Sequence, residues 1–385
     1  MSVFVSNIGF TKVGDHWRKS IAELAFDACK EVINDGTKPE AIVVSNAFAE
    51  ITSSQSNLGP LVADALGLED VETFKVESSG ASGAVAIHVA YEMINSGQVN
   101  SALVLGVEKM RDLEPAKLVL AQGLSESADY SQFFGVSFAS MNALLARMYM
   151  KEYGITREQL SAFPVIAHKN SYTSAHAQFK RRFTAEEVSR SELISDPLRV
   201  LDCAPVGDGA AAAILVNDSA MKKARKASNV EILASEASSS RVNFFEREHM
   251  FSFGSTESAS RKALKKAAVQ MSDIDFLEIH DAYSILAALS VEALGLSSSG
   301  EACTEAAAGK YDLHGSFPIS TFGGMKARGY PIGAAGIYQL CEAYLQLTNS
   351  AGANQVPSAK KCLVHSMSGI DSSAYVHVLS GRSAN

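Results

Sequence analysis

The chain has 385 residues, of which 47% are hydrophobic and 20% are charged, and its formal net charge is -8 at neutral pH. This size and hydrophobic content allow a large folded core and suggest two or three domains. The acidic balance disfavours a nucleic-acid-binding or membrane-surface role, because either role would favour a basic face.

The first part of the chain alternates predicted helices with predicted strands. Its apolar side chains recur at helical spacing or in short continuous runs, and Asn34-Asp35-Gly36 is predicted to end the first helix. The predicted elements are a helix at 20–33, strands at 41–44 and 73–76, a helix at 84–94 and a strand at 101–105.

A tight turn of small residues, 77–83, joins the predicted strand at 73–76 to the helix that follows it. Such a strand–turn–helix elbow exposes one residue to a ligand and directs the positive end of the helix dipole at it. A thiolate or an oxyanion would suit this position. In this chain the residue at the elbow is Gly80, which has no side chain.

Between about 112 and 200 the alternation of apolar segments becomes less regular. This stretch contains predicted helices at 141–153 and 157–170 and a basic run, Lys180-Arg181-Arg182. A regular pattern then returns, with a predicted helix at 258–271 and predicted strands at 276–279 and 361–364.

Two correspondences relate the beginning of the chain to its end. Residues 45–48 lie 235 positions before 280–283, and residues 80–83 lie 250 positions before 330–333, where each tetrad opens a helix. Two similar halves of alternating strands and helices indicate a doubled α/β architecture with mainly parallel sheets between helices. This repeat predicts that Gly80 and Tyr330 face each other across a pseudo-two-fold axis.

The five cysteines give no sign of a disulfide framework or a zinc site, because their number is odd and no CxxC pair occurs. No segment reaches the roughly 18 apolar residues of a membrane span. We therefore expect a cytoplasmic protein that binds no metal, no nucleic acid and no membrane.

Four motifs resemble the signatures of one enzyme family, the thiolases. Residues 323–336, GGMKARGYPIGAAG, resemble the thiolase signature GGxxxxGHPxGAxG, with Tyr330 in place of the histidine. His280-Asp281-Ala282-Tyr283 resembles the HDAF or NEAF box, and residues 201–212 resemble the middle signature of the family. Residues 366–369, SMSG, fall where thiolases carry their second catalytic cysteine in a CxG turn. The motifs follow the family order, and the archaeal and sterol-carrier-protein type of thiolase is the most similar.

The resemblance implies an α/β protein with the five-layer αβαβα thiolase fold, made of two pseudo-repeated halves with mixed, mainly parallel sheets. The N-terminal half would comprise residues 1–111 and 201–225, and the C-terminal half residues 226–385. Residues 112–200 would form an inserted loop domain that covers the coenzyme A tail. The alternative is that they form a solvent-exposed insertion with a purely structural role.

The resemblance also assigns candidate site residues. Gly80 stands at the position of the family's nucleophilic cysteine, and Tyr330 at that of the histidine that activates it. His280 would help to form an oxyanion hole and Gly369 would add a backbone N–H donor. The alternatives are that Tyr330 only fills space at this position and that His280 is a structural hydrogen-bond donor without a catalytic role.

An anionic coenzyme A ligand would need a local basic patch, for which Lys326 and Arg328 are the candidates. The alternative is that both are solvated loop charges. We expect no tightly bound cofactor, with the coenzyme A thioester as substrate.

The implied function is that of the acetyl-CoA C-acyltransferase superfamily, acting on an acyl-CoA thioester to form or break a carbon–carbon bond. The loss of cysteine and histidine favours a non-covalent aldol- or Claisen-type reaction over thiolysis. The alternative is a catalytically silent subunit that scaffolds an acyl-CoA enzyme complex. Relatives imply a homodimer or tetramer, paired through the strand before the elbow, and partners such as a zinc-ribbon/OB-fold protein and hydroxymethylglutaryl-CoA synthase.

Overall fold

The structure is a computed structural model that describes residues 1–33, 38–222 and 230–381. The expected helix end at Asn34-Asp35-Gly36 and the expected domain boundary between residues 225 and 226 both lie outside the described residues. None of the helices in the described part combines the length and the hydropathy that crossing a bilayer requires.

The predicted strands and helices are present, with two differences in the helices. The helix predicted at 157–170 is divided into two, and the helix predicted at 258–271 begins and ends four residues earlier. The strands are β1 (Val3–Phe10), β2 (Ala41–Ser45), β3 (Glu72–Val76), β4 (Ser101–Glu108), β5 (Leu193–Ser195), β6 (Leu198–Arg199), β7 (Gly209–Asn217), β8 (Val230–Ser239), β9 (Phe276–Glu278), β10 (Lys361–Ser368) and β11 (Ser373–Gly381). The helices are α1 (Ile21–Ile33), α2 (Ala49–Thr52), α3 (Leu58–Ala65), α4 (Ser82–Asn95), α5 (Pro115–Gly123), α6 (Phe138–Tyr153), α7 (Arg157–Leu160), α8 (Ala162–Ser171), α9 (Ala185–Ser189), α10 (Asp218–Met221), α11 (Gly254–Ala267), α12 (Ser284–Ala293), α13 (Ala302–Ala307) and α14 (Ala335–Leu347).

Nine of these strands form a mixed sheet in the order β3-β2-β4-β7-β1-β8-β11-β10-β9, as far as the described residues extend. Strand β2 is parallel to both of its neighbours, and β9 is parallel to β10. The remaining pairs are antiparallel, including β1 with β8, which joins the two halves where Phe4 lies opposite Glu231.

Five layers follow from the packing of helices on the two halves of this sheet. Helices α1 and α3 cover the outer face of the first half, and α11 packs on the outer face of the second. Helices α4 and α14 lie between the halves and contact strands of both. Their closest approach is at two glycines, since a Cβ on Gly83 would lie 2.8 Å from the backbone nitrogen of Gly336. The αβαβα arrangement expected from the motifs is therefore confirmed.

The pseudo-two-fold correspondence is real, but its register differs from the one read from the sequence. The short 3₁₀ turns before α4 and α14 are Ser79–Ala81 and Ile332–Ala334, which are 253 residues apart rather than 250. Gly80 therefore corresponds in position to Gly333, and Tyr330 lies one turn earlier on its own segment. Small residues recur at several spacings around both turns, so identity alone could not choose the register.

Helices α5 to α9 lie in the stretch between β4 and β7, where the sequence pattern loosens. Helix α6 packs against α12 of the C-terminal half, and α8 packs against the segment Gly324–Arg328. Apolar residues of this stretch, among them Leu145, Tyr149 and Phe163, share one buried cluster with residues of the C-terminal half. This stretch is therefore part of the folded core on the side where the two halves meet.

Candidate active site

The elbow predicted around Gly80 is present at the end of β3. The chain leaves the strand at Val76, turns through Ser79–Ala81 and enters α4 at Ser82. Ser79 adopts a left-handed conformation with φ 46°, which tightens the turn. Gly80 is buried, at the positive end of the dipole of a 14-residue helix.

Gly80 leaves room for the side chain of Tyr330. A Cβ placed on Gly80 would overlap the phenol oxygen of Tyr330, and it would lie 2.6 Å from Cε1 of His280 and 3.0 Å from the carbonyl oxygen of Met367. Any side chain at position 80 therefore requires Tyr330 to move. The elbow thus brings Gly80 and Tyr330 together, although the observed repeat pairs Gly80 with Gly333.

A small pocket, the central pocket, surrounds this contact. It is enclosed by residues of both halves and of the stretch between β4 and β7. Its lining residues are Ser79, Gly80, Gln122, Ser125, Phe138, Ala204, His280, Tyr283, Tyr330, Ile332 and Gly369. Since no cysteine is among these residues, none of the five free thiols of the chain reaches the contact between Gly80 and Tyr330.

The backbone around Tyr330 is fixed on both sides. The N–H of Tyr330 donates to the carbonyl of Pro205 at 3.1 Å, and the N–H of Gly333 donates to a carboxylate oxygen of Glu108 at 2.8 Å. Burial raises the pKa of Tyr330 far above its usual value, so the phenol keeps its proton at neutral pH. Tyr330 therefore presents a hydrogen-bond donor whose position is set by the backbone.

His280 lies two residues after the end of β9 and contacts Tyr330. Its Nε2 is 3.4 Å from the phenol oxygen of Tyr330, and its Nδ1 accepts the N–H of Met367 at 3.5 Å. Burial, together with the nearby His365 and Lys326, lowers the pKa of His280 to about 3. Because Nδ1 is an acceptor and the ring is neutral, Nε2 carries the hydrogen. His280 is thus a neutral donor directed into the central pocket.

Gly369 follows β10 and lines the central pocket next to the residues that follow α5. Its φ of 53° is left-handed, and a Cβ here would lie 2.6 Å from Oε1 of Glu126. Glycine is therefore required at this position by both the backbone conformation and the close approach of Glu126.

Lys326 and Arg328 do not form the expected basic patch. Lys326 is 1% exposed and donates from Nζ to the carbonyl of Asp202 at 2.7 Å. Arg328 is fully buried, pairs with Glu342 at 3.4 Å and lies over the ring of Tyr338. Both side chains make contacts within the core. They are therefore neither a basic patch for coenzyme A nor solvated loop charges.

Other candidate polar groups are also engaged within the core. Ser366 donates to Gln339 at 2.6 Å, and His365 bonds to Thr256 at 2.9 Å. Ser82 donates to the carbonyl of Ser79 at 2.7 Å. These contacts direct Ser366, His365 and Ser82 away from a role as nucleophile or base.

A second opening, the flanking cleft, lies on the other side of the segment 204–206. Ala204 lines the central pocket, whereas Pro205 and Val206 line the cleft. Helix α5 spans the two cavities, because Leu118 lines the cleft and Gln122, one turn later, lines the central pocket. The remaining lining residues of the cleft are Lys12, Val13, Gly14, Asp15, His16, Arg111, Gln178 and Phe179.

Known families match both halves of the chain. The thiolase N-terminal domain matches residues 4–219, and the thiolase C-terminal domain-like family matches residues 236–381. An acetyl-CoA acetyltransferase of Methanothermobacter thermautotrophicus is 35% identical over 382 residues, which cover 98% of this chain and 99% of the relative. The chain belongs to the thiolase family.

One further relative and two solved structures resemble the chain. Human sterol carrier protein 2 is 30% identical over 391 residues, covering 95% of this chain and 69% of the relative. The structure of an Ltp2-ChsH2(DUF35) aldolase superimposes with a TM-score of 0.85 at 21% identity, covering 99% of this chain and 98% of the other. A thiolase of Ascaris suum in complex with coenzyme A gives a TM-score of 0.75 at 16% identity, covering 99% of this chain and 100% of the other.

Among the lining residues that the sequence did not single out as site residues are Gln122, Ser125 and Tyr283. Tyr283 was noted only as the last residue of its motif, yet its side chain lines the central pocket and its ring lies 5.5 Å from that of Phe138. Gln122 and Ser125 belong to the stretch without family motifs. A signal existed only for Tyr283, which stands in a position where the thiolase box carries an aromatic residue.

Proposed function

We propose that this thiolase-family protein forms or breaks a carbon–carbon bond in an acyl-CoA thioester by a non-covalent aldol- or Claisen-type reaction. One observation carries the proposal: the phenol of Tyr330 occupies the space in which a side chain at position 80 would lie. A thiol at the elbow and the phenol cannot both be accommodated there. In this proposal Gly80 marks the position of a missing nucleophile, so no acyl group is stored on the protein.

His280 and the Gly369 turn would stabilise the negative charge on the thioester oxygen. An enolate oxygen that takes the position near Nε2 of His280 accepts a hydrogen bond from a neutral ring, whose pKa of about 3 keeps it unprotonated on Nδ1 at neutral pH. A backbone N–H at Gly369 would supply the second donor. Burial strengthens such hydrogen bonds, since no bulk water competes for the oxygen.

Tyr330 would transfer the proton in the bond-forming direction. An α-proton of the acyl-CoA passes to water as the enolate forms, and water returns a proton to Tyr330 at the end of the cycle. The enolate carbon attacks the carbonyl carbon of a second substrate, the new carbon–carbon bond forms, and the carbonyl oxygen becomes an alkoxide. Tyr330 gives its proton to that alkoxide, which a phenol can do although it is a poor base. Cleavage of a β-hydroxyacyl thioester is the reverse of these steps.

The flanking cleft is the proposed path of the coenzyme A moiety. Lys12 and Arg111 provide positive charge along it, although Arg111 also pairs with Asp15 at 2.7 Å. The cleft adjoins the segment 204–206, whose other side faces the central pocket. A phosphate-bearing tail in the cleft would therefore place its thioester end near His280 and Tyr330.

We further propose that the chain works as a homodimer or tetramer with an additional protein partner. Strand β3 is the edge of the nine-stranded sheet, which leaves its outer backbone groups available to a second copy. The similar aldolase structure is named as a complex of Ltp2 with ChsH2(DUF35), which supports a partner of that kind for this chain.

Replacement of Tyr330 by phenylalanine tests the proposed reaction. We expect Tyr330→Phe to lower kcat for cleavage of a β-hydroxyacyl-CoA by about 10²- to 10⁴-fold, because the group that exchanges a proton with the hydroxyl oxygen is lost and the ring remains. The matched control is Tyr344→Phe in α14, whose hydroxyl donates to the carbonyl of Ser6 at 3.4 Å, away from the central pocket. Unchanged kcat in Tyr330→Phe would remove Tyr330 from the reaction, and a wild-type protein without cleavage or condensation activity would support the scaffolding subunit instead.

A further inference from the structure

A buried carboxylate of the stretch between β4 and β7 contacts the Gly369 turn. Glu126 is 6% exposed, and its Oε1 accepts the N–H of Ile370 at 3.3 Å. This hydrogen bond links residues 244 positions apart. The position of the Gly369 turn therefore depends directly on where the stretch after α5 lies.

Arg247 holds the same residue from the other side. Its Nη2 donates to the carbonyl of Ile370 and, at 2.9 Å, to the carbonyl of Arg241. Glu126 thus accepts from the N–H of Ile370 while Arg247 donates to its carbonyl, so two oppositely charged groups fix the backbone immediately after Gly369. Because peptide units are planar, the hydrogen bond to the N–H of Ile370 also restricts the orientation of the peptide unit that Gly369 shares with it, whereas Arg247 holds the next peptide unit.

The turn is attached to a third element through Asp371. Its carboxylate accepts the N–H groups of Ser255 and Thr256, at 2.9 and 3.0 Å, at the start of α11. Arg247 and Asp371 therefore tie the turn to the C-terminal half, whereas Glu126 ties it to the stretch that contains α5.

We propose that Glu126 is a positioning residue, whose carboxylate fixes the Gly369–Ile370 backbone and so couples closure of the central pocket by the α5 stretch to the geometry of the oxyanion donors. This inference rests on the proposed function for its catalytic consequence, but the contact itself can be tested without activity. Glu126 does not line the central pocket, so it acts through Gly369 and Ile370 and not on the substrate.

The ionisation of Glu126 gives the coupling a pH dependence. Burial raises the pKa of Glu126 to about 7, against the lowering effect of the Ile370 N–H and of Arg247. The charged carboxylate is the stronger acceptor, so the contact tightens as the pH rises through 7. Burial also raises the pKa of Asp371 to about 6. Glu126 lines a separate cavity, the outer cavity, together with residues 125, 127, 241–243 and 246. The other charged residues that line it are Arg241 and Glu246. Because other charged groups lie near Glu126, its effect on the pH dependence is obtained only by comparing variants with and without its carboxylate.

The experiment compares wild type, Glu126→Gln and a control, Glu246→Gln. Glu246 lines the same outer cavity but interacts with Arg241 and Asn243, so its variant makes the same charge change without touching Ile370. Two quantities are measured: amide hydrogen exchange of peptides covering residues 369–372 at pH 8, and the kcat and KM for β-hydroxyacyl-CoA cleavage between pH 5.5 and 8.5.

We expect exchange over 369–372 to be about tenfold faster in Glu126→Gln than in wild type or Glu246→Gln, because a neutral amide holds the Ile370 N–H less strongly. We also expect kcat of Glu126→Gln to fall about tenfold above pH 7 and to lose the ionisation near 7, with a smaller change in KM. Unchanged exchange in Glu126→Gln overturns the positioning role whatever the activity. A wild-type pH profile in Glu126→Gln overturns its catalytic consequence. Faster exchange in a protein whose wild type shows no activity would keep the contact and reject the proposed function.

Discussion

At the scale of single residues, the candidate site is defined by the contact between Gly80 and Tyr330. Gly80 and Tyr330 are compatible with each other, whereas a larger residue at 80 is compatible only with a smaller or displaced residue at 330. The absence of a side chain at the elbow and the presence of the phenol are thus one structural feature. We therefore expect the residues at positions 80 and 330 to depend on each other.

A double-mutant cycle tests this dependence. We expect Gly80→Ala to lower the free energy of unfolding by about 1–3 kcal/mol, because its Cβ overlaps the Tyr330 hydroxyl and overpacks the pocket. In a Tyr330→Phe background the cost should fall by about 1 kcal/mol or more, since the overlapping oxygen is gone. Urea unfolding of the four proteins gives the coupling energy, and additive effects would show that the two positions are independent.

The charge of Glu126 has a cost in stability as well as a proposed role. Its pKa is raised from 4.5 to about 7 by burial, so the folded state retains a proton that the unfolded state has lost. The stabilisation by the protonated form is complete below about 4.5 and is lost as the pH rises through 7.

Glu126→Gln mimics the protonated form at every pH. We expect it to match wild type near pH 5 and to be more stable at pH 8 by on the order of 1–3 kcal/mol. Unfolding curves at both pH values check this, with Glu246→Gln as the charge-matched control. If the difference between Glu126→Gln and wild type does not change with pH, then Glu126 is not a buried titrating group.

At the scale of elements, the sequence predicted strands and helices well wherever the apolar pattern was regular. The predicted helix at 84–94 and strand at 361–364 correspond to α4 and the first half of β10. The turns before α4 and α14 were found, but their relative register was wrong by three residues because small residues repeat around both.

Burial of charged residues could not be read from the sequence. Lys326 and Arg328 lie in a glycine-rich segment that looks like an exposed loop, yet their partners are core groups of other elements, Asp202 and Glu342. Glu126 was missed for the same reason, since it stands in a stretch without motifs and its partner, Ile370, is 244 residues away. Long-range contacts of this kind have no local pattern.

The edge strand β3 leads to a prediction about assembly. In the proposed dimer the outer backbone groups of β3 pair with a second copy, so sedimentation should give about twice the chain mass of 40.9 kDa. Amide exchange over residues 72–76 should also slow as the protein concentration is raised through the dimerisation range. A monomer at all concentrations, or exchange over 72–76 that does not change with concentration, would exclude pairing through β3.

At the scale of the whole molecule, the candidate site lies where the two pseudo-repeated halves meet. The first half supplies the elbow at Gly80, the second supplies His280, Tyr330 and Gly369, and α5 and its following turn close the pocket. The chain thus has the fold of the thiolase family, with the candidate site between its two halves. Within this site we propose that bond making proceeds without an acyl-enzyme.

The most direct test of this claim is the mass of the intact protein after incubation with acetyl-CoA and rapid acid quenching. The proposal predicts an unchanged mass, because no thiol lines the central pocket to accept the acetyl group. As a positive control for the elbow, the double variant Gly80→Cys, Tyr330→His should gain one acetyl group, since it restores both side chains of the thiolase signature. A single acetyl adduct on the wild-type protein, mapped to a residue of the central pocket, would contradict the non-covalent reaction.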